Sequence, residues 1–255
     1  MDQPRKGRNL RLTPARKMVL ELLHHARKVP SLPLARTMHV GDVVQARRQG
    51  PAPSWTAIFM KAYGIVAQRF PELRRAFIPM PWRHLYEHPF SECAVLIERD
   101  WEGEGIVLGA KIRAPENQPL VGLDGHLRYF REAPVLEVNY FRQTLRLGRL
   151  PGVLRRFTVW HTLYLSGFKR AKRVGTFMLS SLGNLGIEQF HPLTPLTTYL
   201  TYGPISSAGE VTAKIIYDHR VMDGRVVGRC LNELETVLNG PILREIRERQ
   251  QREAA

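Results

Sequence analysis

Cysteine is nearly absent: Cys93 and Cys230 are the only two in 255 residues. Two such thiols build no disulfide framework, and neither belongs to a CxxC pair of the kind that holds structural zinc. Long apolar runs are missing as well, since nothing approaches the roughly 18 residues needed to cross a bilayer. The amino-terminal stretch MDQPRKGRNLRLTPARK is basic and lacks the apolar core of a secretory signal. Together these features lead us to expect a reducing, cytoplasmic setting. Acidic side chains are also scarce, 23 against 38 lysines and arginines. The net charge of +15 and pI near 10.4 attract polyanions (nucleic acid, anionic lipid or phosphorylated cofactors) without choosing among them.

What is present is an ordinary folding chain. A hydrophobic fraction of 44% in this length supplies one large core. The expected limits are a flexible basic arm over 1–12, a single catalytic domain over 13–242, and a charged tail over 243–255 that reads from Leu243 through Arg252 as a solvated helix or a fraying end. Thr13-Pro14 reads as N-cap and first turn of a helix whose apolar positions are Met18, Val19, Leu22 and Leu23, with Pro30 ending the segment. Strands are expected over 32–40, 93–97, 105–112, 175–180, 197–202 and 211–217, and helices over 54–69, 134–147 and 225–238. Residues 119–132 give a mixed signal. Helices interspersed with strands, without a strict βαβ rhythm, predict an α/β fold in which helices cover a mixed β-sheet as a two-layer sandwich.

One stretch carries chemistry, Asp218-His-Arg-Val-Met-Asp-Gly224. A β segment delivers His219, and four residues later an Asp-Gly opens a helix. Imidazole is the side chain best suited to move protons near neutral pH, although an isolated histidine is more often structural. The stretch resembles the HxxxDG motif of the dihydrolipoyl acyltransferases of 2-oxoacid dehydrogenase complexes. Chloramphenicol acetyltransferase and peptide-synthetase condensation domains share that motif, usually with a second histidine before it. Asp218 in that place is similar to the dihydrolipoyl branch.

Other matches follow in the order of that family. Gly175-Thr-Phe-Met-Leu-Ser-Ser-Leu-Gly-Asn-Leu-Gly186, with Phe190 beyond, resembles its GTFTISNLGxxG segment, with Ser181 in place of the usual asparagine. Val227–Glu235 followed by Gly240-Pro241 resembles its terminal helix. Pro14-Ala-Arg-Lys17 with Val29-Pro30, and Lys61-Ala62 with Pro71-Glu72, resemble earlier stretches. The likeness spans about residues 13–241.

The resemblance implies a chloramphenicol acetyltransferase-like fold and an acyltransferase. His219 would be the general base. Ser180 would hydrogen-bond the oxyanion, a contribution of about 3–4 kcal/mol to the transition state. Asp223 would be structural, paired with an arginine of the first helix for which Arg16 is the candidate. Gly224 would permit the turn from strand to helix. A homotrimer with its site between subunits is implied. The chain carries no recognisable lipoyl module, so no covalently bound lipoate is expected. Acyl-coenzyme A, or an acyl group on a carrier protein, is the expected donor, and no metal is expected.

Residues 145–173, LRLGRLPGVLRRFTVWHTLYLSGFKRAKR, interleave Phe157, Trp160, Leu163, Tyr164 and Phe168 with cations. The favoured reading is a helix that buries its aromatic face and leaves its cations in water. Peripheral membrane contact is a second reading. Nucleic acid is a third, and no recognition motif supports it. His24, His25, His84, His88 and His191 read as packing or surface residues. Two alternatives to an enzyme stay open: a catalytically silent trimeric scaffold, and a membrane-surface binding protein with the same fold.

Overall fold

In α1 (Pro14–Ala26) the Thr13 hydroxyl accepts the Arg16 amide at 3.2 Å, the side-chain cap that the Thr-Pro pair predicts. The computed structural model describes residues 7–50 and 52–254. The expected basic arm therefore lies partly outside the described residues, and residues 7–12 lead into α1 without regular structure. After α1 come β1 (Ser31–His39), α2 (Gly41–Arg48), α3 (Trp55–Arg69), and a small antiparallel pair, β2 (Arg75–Ile78) and β3 (His84–Glu87). The long hairpin β4 (Glu92–Trp101) and β5 (Glu104–Arg113) follows. Four helices then succeed one another: α4 (Leu120–Glu132), α5 (Asn139–Arg149), α6 (Gly152–Tyr164) and α7 (Gly167–Arg173). The last third comprises β6 (Phe177–Leu179), β7 (Thr198–Tyr202), β8 (Glu210–Asp218), α8 (Gly224–Val237) and α9 (Leu243–Ala254).

Six strands form one mixed sheet in the order β1-β8-β7-β6-β4-β5. Strands β4, β6 and β7 run parallel as neighbours, and the other pairings are antiparallel. Strand alternation gives the sheet two faces. On one, Val95, Phe177, Leu179, Leu200 and Ile215 pack into the main core with α3 and α8. Tyr63 is fully buried there, its ring 4.3 Å from that of Phe177 and its hydroxyl 2.6 Å from Thr198 Oγ1. On the other face, Ala94, Met178, Tyr199 and Ile216 form a smaller cluster. Here α1 and α5 pack together over β5, with α6 and α7 beside them.

Packing settles two segments that the sequence left open. Residues 120–132 are a regular helix. Two glycines weaken its propensity and no side chain caps it, but Leu120, Leu123, Leu127 and Phe130 bury one stripe, and that tertiary contact decides the conformation. The carboxyl-terminal tail is a helix anchored in the body. Leu243 and Ile246 join the core, and the Glu245 carboxylate pairs with Lys61 and accepts the Leu120 amide at 2.8 Å.

His25 shows what burial on α1 costs. Its side chain is 1% exposed, with Nδ1 3.0 Å from the Tyr164 hydroxyl and Nε2 3.8 Å from Glu21. Burial pushes its pKa down to about 4, with help from the charges of His24, Lys28 and Arg156 and against the pull of Glu21. The folded chain thus keeps His25 neutral while the unfolded chain takes up a proton near pH 6.5. The unfolded state binds more protons between those values, so stability should decline as pH falls from about 6.5 towards 4. Chemical denaturation across that range should show a flatter profile for His25→Gln, and an unchanged slope would remove His25 as the cause.

Candidate active site

His219 sits one residue beyond β8, where the chain turns back into α8. Three contacts fix the turn. The Asp218 amide donates to Thr197 O at 2.8 Å, the His219 amide donates to Pro30 O at 3.1 Å, and the Val221 amide donates to Asp218 O at 3.0 Å. The Asp218 side chain is wholly buried. Its carboxylate accepts the Arg220 amide at 3.0 Å, Nε at 2.9 Å and Nη2 at 2.7 Å, a two-pronged pair that also lays the Arg220 guanidinium over the Phe77 ring at 4.7 Å. Arg170 is buried beside it, donating to Phe77 O and Pro195 O. Burial lowers the Arg170 pKa to about 10, opposed by Asp218, so it remains a cation at neutral pH.

This turn orients the imidazole. His219 Nδ1 lies 3.1 Å from Met222 O, and a carbonyl can only accept, so Nδ1 carries the proton and donates it. Nε2 is then the basic nitrogen, on a side chain that is about half exposed. Asp223 Oδ1 lies 3.4 Å from Nδ1, within ion-pair range should the ring become charged. The Tyr217 ring meets the imidazole edge-on with centroids 5.8 Å apart.

The structure corrects two of the expected supporting roles. Within one chain Arg16 does not pair with Asp223. It sits at the start of α1 with Nη2 3.1 Å from Glu104 Oε1, whereas the His219 turn is tied to Pro30 beyond the other end of that helix. Thirteen residues of helix span about 20 Å, too far for any side chain to bridge. Gly224 is the first residue of α8 and has no left-handed φ. A side chain there would crowd the Tyr217 hydroxyl, 3.2 Å from an added Cβ, so the glycine admits that ring rather than a special turn.

Ser180 follows β6, and its amide donates to Leu200 O at 3.3 Å. The register puts it four residues along the strands and two strands across from Asp218, or about 13 Å by about 10 Å. His219 and Ser180 therefore cannot reach the same carbonyl within one chain. Around Ser180 the structure gathers residues the sequence reading passed over. Tyr199 is buried with its hydroxyl against Ser180 and Gln189, burial raising its pKa. Lys214 pairs with Glu188 at 2.9 Å, donates to Gln189 O at 3.0 Å and lies 4.5 Å from the Phe190 ring centroid. A lone lysine inside the apolar run Val211–Tyr217 was the available signal. Beyond it, Leu185, Ile187, Phe190 and Leu193 are exposed.

The second sheet face also borders a cavity of about 1350 Å³, open on one side, between β4, β5 and helices α1, α5, α6 and α7. It explains why Val19, Leu22 and Leu23 of α1 are apolar without belonging to the main core. The segment 145–173 takes in the end of α5, α6 and α7, and it buries the expected aromatic face only in part, with Trp160 and Tyr164 half-buried. Val159 and Leu163 turn inward, whereas Phe157 is 60% and Phe168 54% exposed. Tyr164 instead holds His25, and His88 Nδ1 pairs with Tyr86. Among the described residues no group of His, Cys, Asp or Glu is arranged to hold a metal ion, and no helix is long and apolar enough to cross a membrane.

The fold is that of chloramphenicol acetyltransferase and of dihydrolipoamide acetyltransferase catalytic cores. The core of the 2-oxoacid dehydrogenase complex of Thermoplasma acidophilum superposes with a TM-score of 0.67 at 14% identity, over 92% of this chain and 99% of that one. The Azotobacter vinelandii dihydrolipoamide acetyltransferase gives 0.65 at 16%, over 94% of each chain. Chloramphenicol acetyltransferase gives 0.51 at 14%, over 89% of this chain and 96% of that one. No family model and no curated protein matches the chain by sequence.

The buried carboxylate of Asp218 is paired with the Arg220 guanidinium and offsets the charge of the buried Arg170, and removing its charge leaves Arg220 without its partner. Breaking such a pair from one side costs about 3–5 kcal/mol. Asp218→Asn, nearly the same shape, should lower the unfolding free energy by about that amount in urea. A loss below 1 kcal/mol would mean the turn holds without the pair.

Proposed function

We propose that the protein is an acyltransferase in which His219 of one subunit and Ser180 of a neighbour act on the same acyl thioester. The observation that carries this reading is the 3.1 Å contact of His219 Nδ1 with Met222 O, which commits Nδ1–H to that carbonyl and leaves Nε2 as the base. Acceptor deprotonation by Nε2 would allow attack on the thioester carbonyl. The Ser180 hydroxyl would donate to the oxyanion of the tetrahedral adduct. Collapse expels the thiolate, which recovers the proton from the imidazolium, and the carbon–sulfur bond is exchanged for one to the acceptor oxygen, nitrogen or sulfur. The Asp223 carboxylate stands close enough to steady the transient imidazolium.

The comparisons support the reading by analogy. In the Azotobacter enzyme a serine, a histidine and an asparagine bear on the catalytic mechanism, the latter two being four positions apart. His219 and Asp223 share that spacing. The separation of His219 from Ser180 within one chain calls for a site assembled between copies, which a homotrimer supplies. The exposed apolar side chains of residues 185–193, next to Ser180, supply a surface for such contact. Acyl-coenzyme A is the proposed donor, in keeping with the chain's strongly positive field.

Thiol release from acyl-coenzyme A with mixed amine and hydroxyl acceptors tests the chemistry. His219→Ala should lower kcat by about 10²–10⁴-fold and Ser180→Ala by about 10²–10³-fold, without change in fold. Undiminished turnover in His219→Ala would remove it as the base. Mixed assemblies test the composite site. Refolding the two inactive variants together should recover about a quarter of wild-type turnover, because that share of random interfaces pairs an intact histidine with an intact serine. Light scattering should give three times the 29.3 kDa of one chain. No recovery in trimers shown to be mixed would place both residues in a single-chain site.

A further inference from the structure

The cavity of about 1350 Å³ exceeds the roughly 300–1,000 Å³ of most small-molecule sites. Its floor is built by strand alternation. Ala94, Leu96 and Met178 point into it from β4 and β6, and the parallel register brings Leu96 beside Ser180 on the same face, about 5 Å across the sheet. Its roof is aliphatic, made by Val19 and Leu22 of α1, Leu147 of α5, and Val159 and Leu163 of α6. Polar groups gather on β5 and α7. Six cationic side chains line the cavity, namely Arg16, Lys111, Arg113, Lys169, Lys172 and Arg173, against one carboxylate, Glu92. Glu92 is already engaged with Lys111 at 3.7 Å. His88, also in the lining and 2% exposed, has no hydrogen-bond partner for Nε2.

Arg16 is paired with Glu104 and Lys111 with Glu92, which leaves Arg113, Lys169, Lys172 and Arg173 as the excess positive charge, and an apolar interior with such a net cationic lining fits an amphiphile. We infer that this cavity seats the long hydrocarbon chain of a molecule with an anionic head. Resting on the acyl-transfer reading, that molecule is the acyl substrate, and the protein is a long-chain acyltransferase. The anionic head could be the phosphates of an acyl thioester or the carboxylate of a free fatty acid. Gly109 marks the space. It lies on β5 opposite Leu96, has an ordinary backbone, and an added Cβ would meet only Leu96 Cδ2 at 4.0 Å. A larger side chain at 109 therefore projects into the cavity without strain on the strand.

The test uses cis-parinaric acid, a fluorescent 18-carbon fatty acid, with wild type, Gly109→Leu and, from the helical wall, Thr158→Phe. Wild type should bind the probe saturably. Palmitoyl-coenzyme A should displace it and acetyl-coenzyme A should not, with affinity rising about fourfold per added methylene, the equivalent of about 0.8 kcal/mol. Both filled variants should bind at least tenfold more weakly with unchanged far-ultraviolet spectra. Lys169→Glu should weaken palmitoyl-coenzyme A and palmitate alike if one set of cations holds either head, and only the former if phosphates are the ligand. Absence of saturable binding to wild type, or equal binding by both variants, would overturn the inference. Turnover of short thioesters that depends on His219 but not on chain length would do the same while leaving the acyl-transfer reading intact. Chain binding lost in both variants, with no thioester turned over, would uphold the cavity as a chain site and sink that reading instead.

Discussion

The end of β8 is the constraint on which the site depends. Asp218 is withdrawn from water and would be an unaffordable charge there were it not met by Arg220 and the buried Arg170. Satisfying that carboxylate folds the next residues back on themselves and brings Met222 O within reach of His219 Nδ1. The direction in which His219 presents its basic nitrogen is thus a consequence of an ion pair one residue earlier. The anchoring extends outward, since Arg170 belongs to α7 and also ties the β2 segment and the 190s loop through Phe77 O and Pro195 O.

The two faces of the sheet serve different ends. One is covered by α3 and α8, where the buried rings of Tyr63, Phe59 and Phe177 sit between the layers. The other is roofed rather than filled. Four helices lean on one another across β5, and Gly148 lets α5 press against the backbone of Pro14 at the start of α1. Helix-on-helix support of this kind leaves the floor free. By register the same face carries Ser180, beside Leu96 of the cavity floor.

Much of the framework was legible in the sequence because its signals are local. Thr13-Pro14 starts α1, and the alternation of Val211–Tyr217 makes β8. The histidine, its Asp-Gly and the GTF segment were likewise readable as a motif. The partners of those residues were not. Arg16 was matched to Asp223 from motif order alone, and a helix about 20 Å long stands between the two ends. Helix α4 was missed because its glycines speak against helix locally and only its buried stripe speaks for it.

Composition, strand and helix periods, and the identity of the residues able to move a proton were determined by the sequence itself, since each depends on neighbours within a few positions. Only the tertiary structure decided which nitrogen of His219 is basic, that Ser180 lies across the sheet from it, and that the apolar residues of α1 and α6 line a space instead of filling a core. The first rests on a turn that Pro30 and Thr197 hold in place, the second on strand register, and the third on how α1 and α6 pack over β4 and β5, and no local pattern encodes how two distant surfaces meet.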